Sequence, residues 1–191
     1  MIALAGAFQD LLSALDRLEI PFLIGGSIAS GTHGLPRNTK DIDVVADLPL
    51  DLVTEFCATL SPLFYVDADR VALAIRSGRA FNVIHLKGAF KFDIFPVAED
   101  RFARSELARR RYTTTSIAGL ENIEFPVASP EDTILAKLVW FRKGGEVSDQ
   151  QWHDILGVIR VQAGRLDLGY LQEWAGELGV NDLLGRALDH Q

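Results

Sequence analysis

Three aspartates are the residues of this sequence whose type and spacing most clearly suggest chemistry. Asp41 and Asp43 lie two positions apart in an apolar run, so in a β-strand their side chains leave the same face, while Ile42 and Val44 point into the core. Neighbouring like charges repel each other, and the simplest compensation is a cation between them. Carboxylate oxygens are the ligands that Mg²⁺ prefers, and Mg²⁺ often shares them with substrate phosphates. The pair alone is equally compatible with a solvent-exposed strand face.

Asp93 is the third acid, within the apolar residues 90–95. Alternation places three side chains on the opposite face: Phe90, Phe92 and Ile94. An acid in so apolar a strand is costly to bury unless it is paired or bound to metal. Lys91 shares the face of Asp93, but residues i and i+2 of a strand lie far apart, so we do not expect an ion pair. We expect a neighbouring strand to bring Asp93 beside Asp41 and Asp43.

A glycine-rich turn, Gly25-Gly26-Ser27, follows the short apolar run of residues 21–24 and precedes a predicted helix. Glycines let backbone N–H groups approach a phosphate, and a helix N-terminus carries partial positive charge. The Ser27 hydroxyl can add a hydrogen bond to a phosphate, or it can cap the helix of an ordinary strand–helix turn. The turn predicts a phosphate site only in the company of the acids.

The elements that position these residues follow from the spacing of apolar side chains. Predicted helices cover residues 1–18, 27–33, 49–60, 67–76 and 101–109, and predicted strands cover 21–24, 41–46, 80–86, 89–95, 111–116 and 123–127. After Pro130 the pattern is purely helical, over residues 131–142, 149–162, 168–178 and 180–189. We therefore expect an α+β domain at residues 1–128 and a helical region at residues 129–191.

The composition restricts the class of protein. With 191 residues, 48% of them hydrophobic and 24% charged, the chain is typical of a soluble globular protein. A net charge of −7 argues against a protein whose main role is to coat nucleic acid. Cys57 is the only cysteine, which excludes an internal disulfide. The N-terminal helix lacks a basic leader region, and no apolar stretch reaches membrane-spanning length, so we expect a cytoplasmic protein with no membrane partner.

In combination, the turn, the paired acids and the later strand acid resemble the signature of the polymerase-β-like nucleotidyltransferase superfamily. The segment from Arg37 through Thr39 to Asp41 and Asp43 also resembles the Arg-x-Thr-x-Asp-x-Asp form of minimal bacterial nucleotidyltransferases, including the abortive-infection toxin type. Specific motifs cover residues 22–95, and a looser likeness continues through residues 129–155. The resemblance implies a nucleotidyltransferase fold, in which a small mixed sheet is flanked by helices and followed by a helical region.

The resemblance also implies a function. A nucleoside monophosphate would pass from a nucleoside triphosphate to a hydroxyl acceptor, which could be RNA, a protein or a small molecule. Asp41 and Asp43 would ligate Mg²⁺ or Mn²⁺, and Asp93 would complete the metal site and orient or deprotonate the acceptor hydroxyl. Gly25, Gly26 and Ser27 would hold the β- and γ-phosphates of the nucleotide. The toxin type further implies an antitoxin partner.

Four further residues have weaker assignments: Arg37, Thr39, Lys137 and Asp154. Arg37 and Thr39 could contact a triphosphate or be ordinary surface-loop residues. Lys137 lies where the resemblance places a phosphate-contacting lysine, although its amine could equally extend to solvent from an apolar helix. Asp154 could help position nucleotide or acceptor, but a solvated acid or an ion pair between helices is the simpler interpretation.

Two other functions remain open at this point. The chain could be a nucleotide-binding or interaction module of the same fold without catalysis, but the presence of all three acids argues against it. A purely structural α+β protein would leave the acids without a reason to converge. The only basic cluster, Arg109-Arg110-Arg111 with Arg101 and Arg104 upstream, could guide a nucleic-acid acceptor or be cations at a helix C-terminus.

Overall fold

The computed structural model describes residues 4–37, 39, 41–97 and 99–190. The helices are α1 (Leu4–Arg17), α2 (Gly26–His33), α3 (Val53–Leu60), α4 (Ala68–Arg76), α5 (Arg101–Arg109), α6 (Pro130–Lys143), α7 (Asp149–Val161), α8 (Leu168–Glu177) and α9 (Asn181–Leu188). The strands are β1 (Phe22–Ile24), β2 (Asp41–Ala46), β3 (Phe64–Tyr65), β4 (Phe81–His85), β5 (Lys91–Pro96), β6 (Arg111–Thr113) and β7 (Phe125–Val127). A 3₁₀ turn at Leu50–Leu52 precedes α3.

In the described part of the chain, seven strands form one mixed sheet in the order β3-β4-β5-β2-β1-β7-β6. Strand β2 is antiparallel to β1 and parallel to β5, and β1 is parallel to β7. The predicted α+β class with a mixed sheet flanked by helices is confirmed. The order matters for the site, because β1 and β5 lie on either side of β2.

The core of the sheet explains why the acids face outward. Ile42, Val44 and Phe92 have no exposed surface and Ile94 is 1% exposed, and all four pack in one cluster with α1 and α3. Because side chains alternate along a strand, burying these four forces the residues between them onto the opposite face. The alternation predicted for residues 41–46 and 89–95 is therefore confirmed.

A second hydrophobic cluster belongs to the helical region. It is built from α6, α7, α8 and α9, with Ile134, Leu138, Ile155 and Leu171 fully buried. Phe102 of α5 is its only member before residue 129 among the described residues. These two clusters support the proposed division of the chain at residues 128/129. Helix α2, which follows the glycine turn, packs against both α6 and α7, so the helical region lies beside that turn.

The predicted elements differ from the structure mainly at short segments. Strand β3 is absent from the predicted elements, because two residues show no periodicity. The capping role predicted for Ser27 is wrong, since α2 begins at Gly26 with Gly25 as its N-cap residue and no side-chain cap. Ser27 therefore lies inside the first turn, where its hydroxyl donates to Thr39 instead.

Within the residues described, no helix combines the length and the apolar character needed to cross a membrane.

Candidate active site

The three acids lie on one face of the sheet, as expected from the sequence. In the register of β2 and β5, Asp43 is directly opposite Asp93, and Asp41 is opposite Lys91. The Asp93 side chain is 18% exposed and that of Asp41 is 58% exposed, while Asp43 is half-buried. The sheet therefore presents two carboxylates side by side and a third at the more open end of the row.

The glycine turn is fitted directly against Asp43. The Gly25 backbone N–H donates to the Asp43 carbonyl oxygen at 2.9 Å. Gly26 has a φ of +52°, and a Cβ built on it would lie 1.7 Å from Asp43 Oδ2. Any side chain at position 26 would therefore be strained and would collide with the carboxylate. Only glycine lets the helix N-terminus and the acid approach so closely.

Hydroxyl groups connect the turn to the start of β2. Ser27 Oγ donates to Thr39 Oγ1 at 2.8 Å, and Thr39 Oγ1 donates to the Asp41 carbonyl oxygen at 2.9 Å. Because Gly25 is beside Asp43 and Ser27 is joined to Thr39, the N-terminus of α2 lies toward the Thr39–Asp41 end of β2. Asn38 and Lys40, which flank Thr39, lie outside the described residues.

The ammonium group of Lys91 links two of the acids, which the sequence did not lead us to expect. Lys91 Nζ lies 3.0 Å from Asp93 Oδ2 and 3.5 Å from Asp41 Oδ1. The expectation of no ion pair was wrong because it compared backbone positions, whereas the four-carbon side chain of lysine reaches across the distance. The hydrogen bond with Asp93 raises the pKa of Lys91. The Asn82 side-chain amide, on β4, donates to Asp93 Oδ1.

Asp43 is the acid whose ionisation is most affected by its surroundings. Burial raises the pKa of Asp43, and the negative charges of Asp93 and Asp41 raise it further. The positive charges of Lys137 and Lys91 act in the opposite direction. A group in this position is stabilised in its charged form by any additional cation.

The acids do not converge into a metal-sized volume as we predicted. In the described part of the chain, no three His, Cys, Asp or Glu side chains are gathered closely enough to hold a metal ion. The reason is that Asp93 is held by Lys91 and Asn82, while Asp43 is turned toward Gly26.

The donor set nevertheless fits Mg²⁺ or Mn²⁺. All three groups are carboxylates on one strand face, and paired positions on adjacent strands are about 5 Å apart. Rotations of these side chains alone would bring their oxygens together, without a change in the backbone.

A second set of charges joins the helical region to the loop before β2. Lys137 Nζ lies 2.8 Å from Asp154 Oδ2, and Arg37 Nε lies 3.1 Å from Asp154 Oδ1. Burial favours a higher pKa for Asp154, but hydrogen bonds from Lys137 and Arg37 outweigh it and the net pKa is lowered. Lys137 is 8% exposed, so its amine does not extend to solvent. Asp154 forms the ion pair between helices that the sequence suggested.

The basic cluster is largely engaged with acids of the protein itself. Arg109 pairs with Glu131 and Asp132, and its guanidinium stacks 3.8 Å from the centre of the Tyr170 ring. Arg101 pairs with Glu177, and Arg104 pairs with Glu99. These contacts favour a structural role for the cluster over guidance of a nucleic acid.

Sequence reasoning missed two aromatic residues beside the acids. Phe95 shares the strand face of Asp93, and its ring centre lies 5.9 Å from that of Trp140 on α6. The alternation of β5 places Phe95 on that face, but nothing in the sequence indicates that α6 crosses there.

At the level of sequence, the chain matches no family model and no curated protein. Solved structures do match it. The solution structure of the antibiotic-resistance factor ANT(2'')-Ia has a TM-score of 0.57 and 17% identity, covering 98% of this chain and 97% of that one. The crystal structure of ANT(2'')-Ia with adenylyl-2''-tobramycin has a TM-score of 0.53 and 17% identity, covering 91% and 95%. The lincomycin-bound lincosamide antibiotic adenylyltransferase LnuA has a TM-score of 0.53 and 13% identity, covering 83% and 98%.

The chain has a nucleotidyltransferase fold. Because the identities are 17% or lower, the likeness establishes the fold and leaves function to be argued from the site. In this nucleotidyltransferase fold, the glycine turn and the three acids occupy one face of the sheet, with the helical region beside them.

Proposed function

We propose that this protein is a metal-dependent nucleotidyltransferase that transfers a nucleoside monophosphate from a nucleoside triphosphate to a hydroxyl group of a small molecule. The observation that carries the proposal is the pairing of Asp43 with Asp93 across β2 and β5, on the face that meets Gly26. A phosphate-binding turn next to paired carboxylates is the arrangement that phosphoryl transfer requires, since catalysis there is largely positioning and charge stabilisation.

The phosphates of the nucleotide would lie at the N-terminus of α2. The first N–H groups of a helix have no partner within the helix, and the helix dipole favours an anion there. Lys137 and Arg37, already held in place by Asp154, supply positive charge on the same side. This pre-organisation reduces the entropy lost when the triphosphate binds.

The carboxylates serve the reacting centre. Asp41, Asp43 and Asp93 would hold Mg²⁺ or Mn²⁺, which neutralises phosphate charge and polarises a phosphoryl oxygen. Asp93 accepts the proton of the acceptor hydroxyl. The hydroxyl oxygen attacks the α-phosphorus, the new O–P bond forms, the bond to the bridging oxygen of the β-phosphate breaks, and pyrophosphate leaves with the electron pair.

Two observations support a small molecule as the acceptor. The arginines that could have guided a polynucleotide are engaged with internal acids. The fold is also shared with ANT(2'')-Ia and LnuA, whose structures contain adenylyl-2''-tobramycin and lincomycin. The antitoxin partner implied by the Arg37–Asp43 segment stays a prediction of the sequence, which growth of host cells expressing wild type or Asp43→Asn would test.

The test is transfer of label from α-³²P-labelled nucleoside triphosphates with Mg²⁺, using tobramycin and lincomycin as hydroxyl acceptors. We expect a labelled product and equimolar pyrophosphate, and Asp43→Asn should reduce the rate by a factor of about 10² to 10³. Asp47→Asn is the matched control, because Asp47 is an exposed acid just beyond the end of β2. Nucleotide binding without transfer to either compound would favour the alternative, a nucleotide-binding module without catalysis. Equal rates for Asp43→Asn and wild type would contradict the proposal.

A further inference from the structure

An aromatic pair lies beside the acids and has no part in the proposed transfer so far. Trp140 of α6 and Phe95 of β5 meet edge to face, with ring centres 5.9 Å apart and planes inclined by 65°. Trp140 remains 49% exposed, so the contact buries only part of its ring. Edge-to-face geometry leaves ring faces uncovered, and large exposed aromatic surface next to a polar cleft is characteristic of binding sites.

The pair lies on the same sheet face as the acids. Residues Asp93 and Phe95 are two positions apart in β5, so their side chains leave the same face. In the register with β2, Phe95 is opposite Val45, two residues further along than the pair of Asp43 and Asp93. On α6, Trp140 follows Lys137 by three residues, about one helical turn.

These placements define an order along the cleft. The N-terminus of α2 lies toward Thr39 and Asp41, which is the opposite direction along β2 from Val45. Arg37 and Lys137 lie on the phosphate side, since both pair with Asp154. The sequence of subsites is therefore phosphate turn, then paired carboxylates, then aromatic pair.

In an in-line displacement the attacking group enters opposite the leaving group. If pyrophosphate leaves toward the α2 N-terminus, the acceptor enters from the side of Phe95 and Trp140. Asp93, the acid that takes the acceptor proton, is the nearest carboxylate on that strand. The order of the subsites thus favours the acceptor, and not the nucleobase, as the occupant of the aromatic surface.

We propose that Phe95 and Trp140 form the acceptor subsite and bind the face of a cyclic, hydroxyl-bearing small molecule, which places one of its hydroxyls beside Asp93. This inference rests on the proposed function. The C–H face of a saturated ring packs well on an aromatic face, and the acids near it suit an acceptor that is neutral or carries amines. The aromatic pair would then select the acceptor without contributing to the chemical step.

The experiment measures binding to the full chain in two stages by calorimetry. The first stage titrates a non-hydrolysable ATP analogue with Mg²⁺ into wild type, Trp140→Ala, Phe95→Leu and Tyr65→Ala. The second stage titrates tobramycin, lincomycin or a single-stranded RNA hexamer into each nucleotide-loaded protein. Tyr65→Ala is the matched control, because Tyr65 is a 55% exposed aromatic on the edge strand β3.

We expect one of the two cyclic compounds to bind wild type, and Trp140→Ala to weaken that binding at least about tenfold. Phe95→Leu, which keeps an apolar side chain of similar reach, should weaken it less. Nucleotide affinity should be the same in all four proteins, and Tyr65→Ala should bind the compound as wild type does.

Three results would overturn the inference while leaving the proposed function intact. They are a loss of nucleotide affinity in Trp140→Ala, binding of the RNA hexamer that depends on Trp140, and cyclic compounds that do not bind or bind all variants equally. If wild type does not bind the nucleotide analogue with Mg²⁺, the proposed function fails and this inference fails with it.

Discussion

Two groups of acidic side chains lie in this molecule, and their oxygens are held in different ways. The sheet-face acids are Asp41, Asp43 and Asp93. The α6 acids are Glu131 and Asp132, at the start of the first helix of the helical region. Both groups bring negative charges close together, which costs free energy unless each charge finds a partner.

The α6 acids find their partners within the protein. Asp132 is fully buried and accepts hydrogen bonds from Ser129 Oγ and Tyr170 OH, each at 2.6 Å. Arg109 pairs with Asp132 and with Glu131, whose second oxygen accepts from the Asp167 backbone N–H. Protein groups therefore satisfy these carboxylates in a fixed geometry.

The sheet-face acids instead depend on one flexible lysine. Lys91, whose side chain is 39% exposed, contacts Asp41 and Asp93 but not Asp43. Asp43 has a raised pKa because burial and its neighbouring acids disfavour its charge. The difference shows how a structural acid cluster can be told from a ligand-binding one. Saturated and sealed carboxylates hold helices together, whereas partly exposed carboxylates with exchangeable partners can accept a cation.

The largest effect on stability should come from the α6 acids. Asp132→Ala leaves Arg109 and the hydroxyls of Ser129 and Tyr170 without their shared partner, so we expect a loss of about 3–5 kcal/mol in the free energy of unfolding. Urea denaturation measures it. Asp132→Asn, which keeps hydrogen-bonding capacity but not charge, should lose less. A loss below about 1 kcal/mol for Asp132→Ala would show that the network does not hold the fold.

A smaller effect is expected where the glycine turn meets Asp43. Gly26→Ala introduces a Cβ that collides with Asp43 Oδ2 at a φ of +52°. Gly78→Ala is the matched control, because Gly78 has a φ of +60° and no atom within 4 Å of its added Cβ. Both variants carry the backbone strain, so the difference isolates the collision, which we expect to cost about 1–3 kcal/mol. Equal losses in urea denaturation would mean that the turn and the acid are not closely fitted.

Glu106 sharpens the comparison through pH. It is 6% exposed on α5, and burial, followed by the charges of Asp132 and Asp100, raises its pKa well above 4.5. As pH rises, the unfolded chain loses this proton first, so the stability present in acid is lost between pH 4.5 and the higher folded pKa. Glu106→Gln should therefore be more stable than wild type by about 1 kcal/mol at neutral pH and similar to it in acid.

The measurement is urea denaturation from acid to neutral pH, with Glu124→Gln as the exposed control. A wild-type profile parallel to that of Glu106→Gln across the range would contradict the assignment.

The sequence predicted local features well and long-range contacts poorly. Alternation in β2 and β5 placed Asp43 and Asp93 correctly, because burial of Ile42 and Phe92 decides which face is which. Periodicity does not encode strand order, so the sequence supports the pairing of β2 with β5 only as an expectation.

Features that depend on side-chain reach or distant partners were missed. Lys91 was dismissed as a partner of Asp93 from backbone spacing alone. The network of Asp132 joins Ser129 and Arg109 to Tyr170, 38 residues away in sequence, and no local pattern signals such a contact. The meeting of Phe95 with Trp140 depends in the same way on how α6 crosses the sheet.

The smallest effect on stability should come from the sheet-face acids themselves. Asp41→Ala with Asp43→Ala removes mutual repulsion and leaves Lys91 paired with Asp93. The repulsion is partly offset by Lys91, so the gain is smaller than for an uncompensated pair. Exposed ion pairs contribute little, so we expect the free energy of unfolding without ligand to stay within about 0.5 kcal/mol of wild type or to rise. Urea denaturation without added metal measures it.

The most direct test is the effect of Mg²⁺ and a non-hydrolysable nucleoside triphosphate on the unfolding of wild type and this double variant. A ligand that binds only the folded state at a hundredfold excess over its Kd stabilises by about 2.7 kcal/mol. We expect wild type to gain stability of this order and the Asp41→Ala, Asp43→Ala protein to gain none. If the double variant lost several kcal/mol without ligand and still gained the full stabilisation with it, the sheet-face acids would be structural and the proposed function would be wrong.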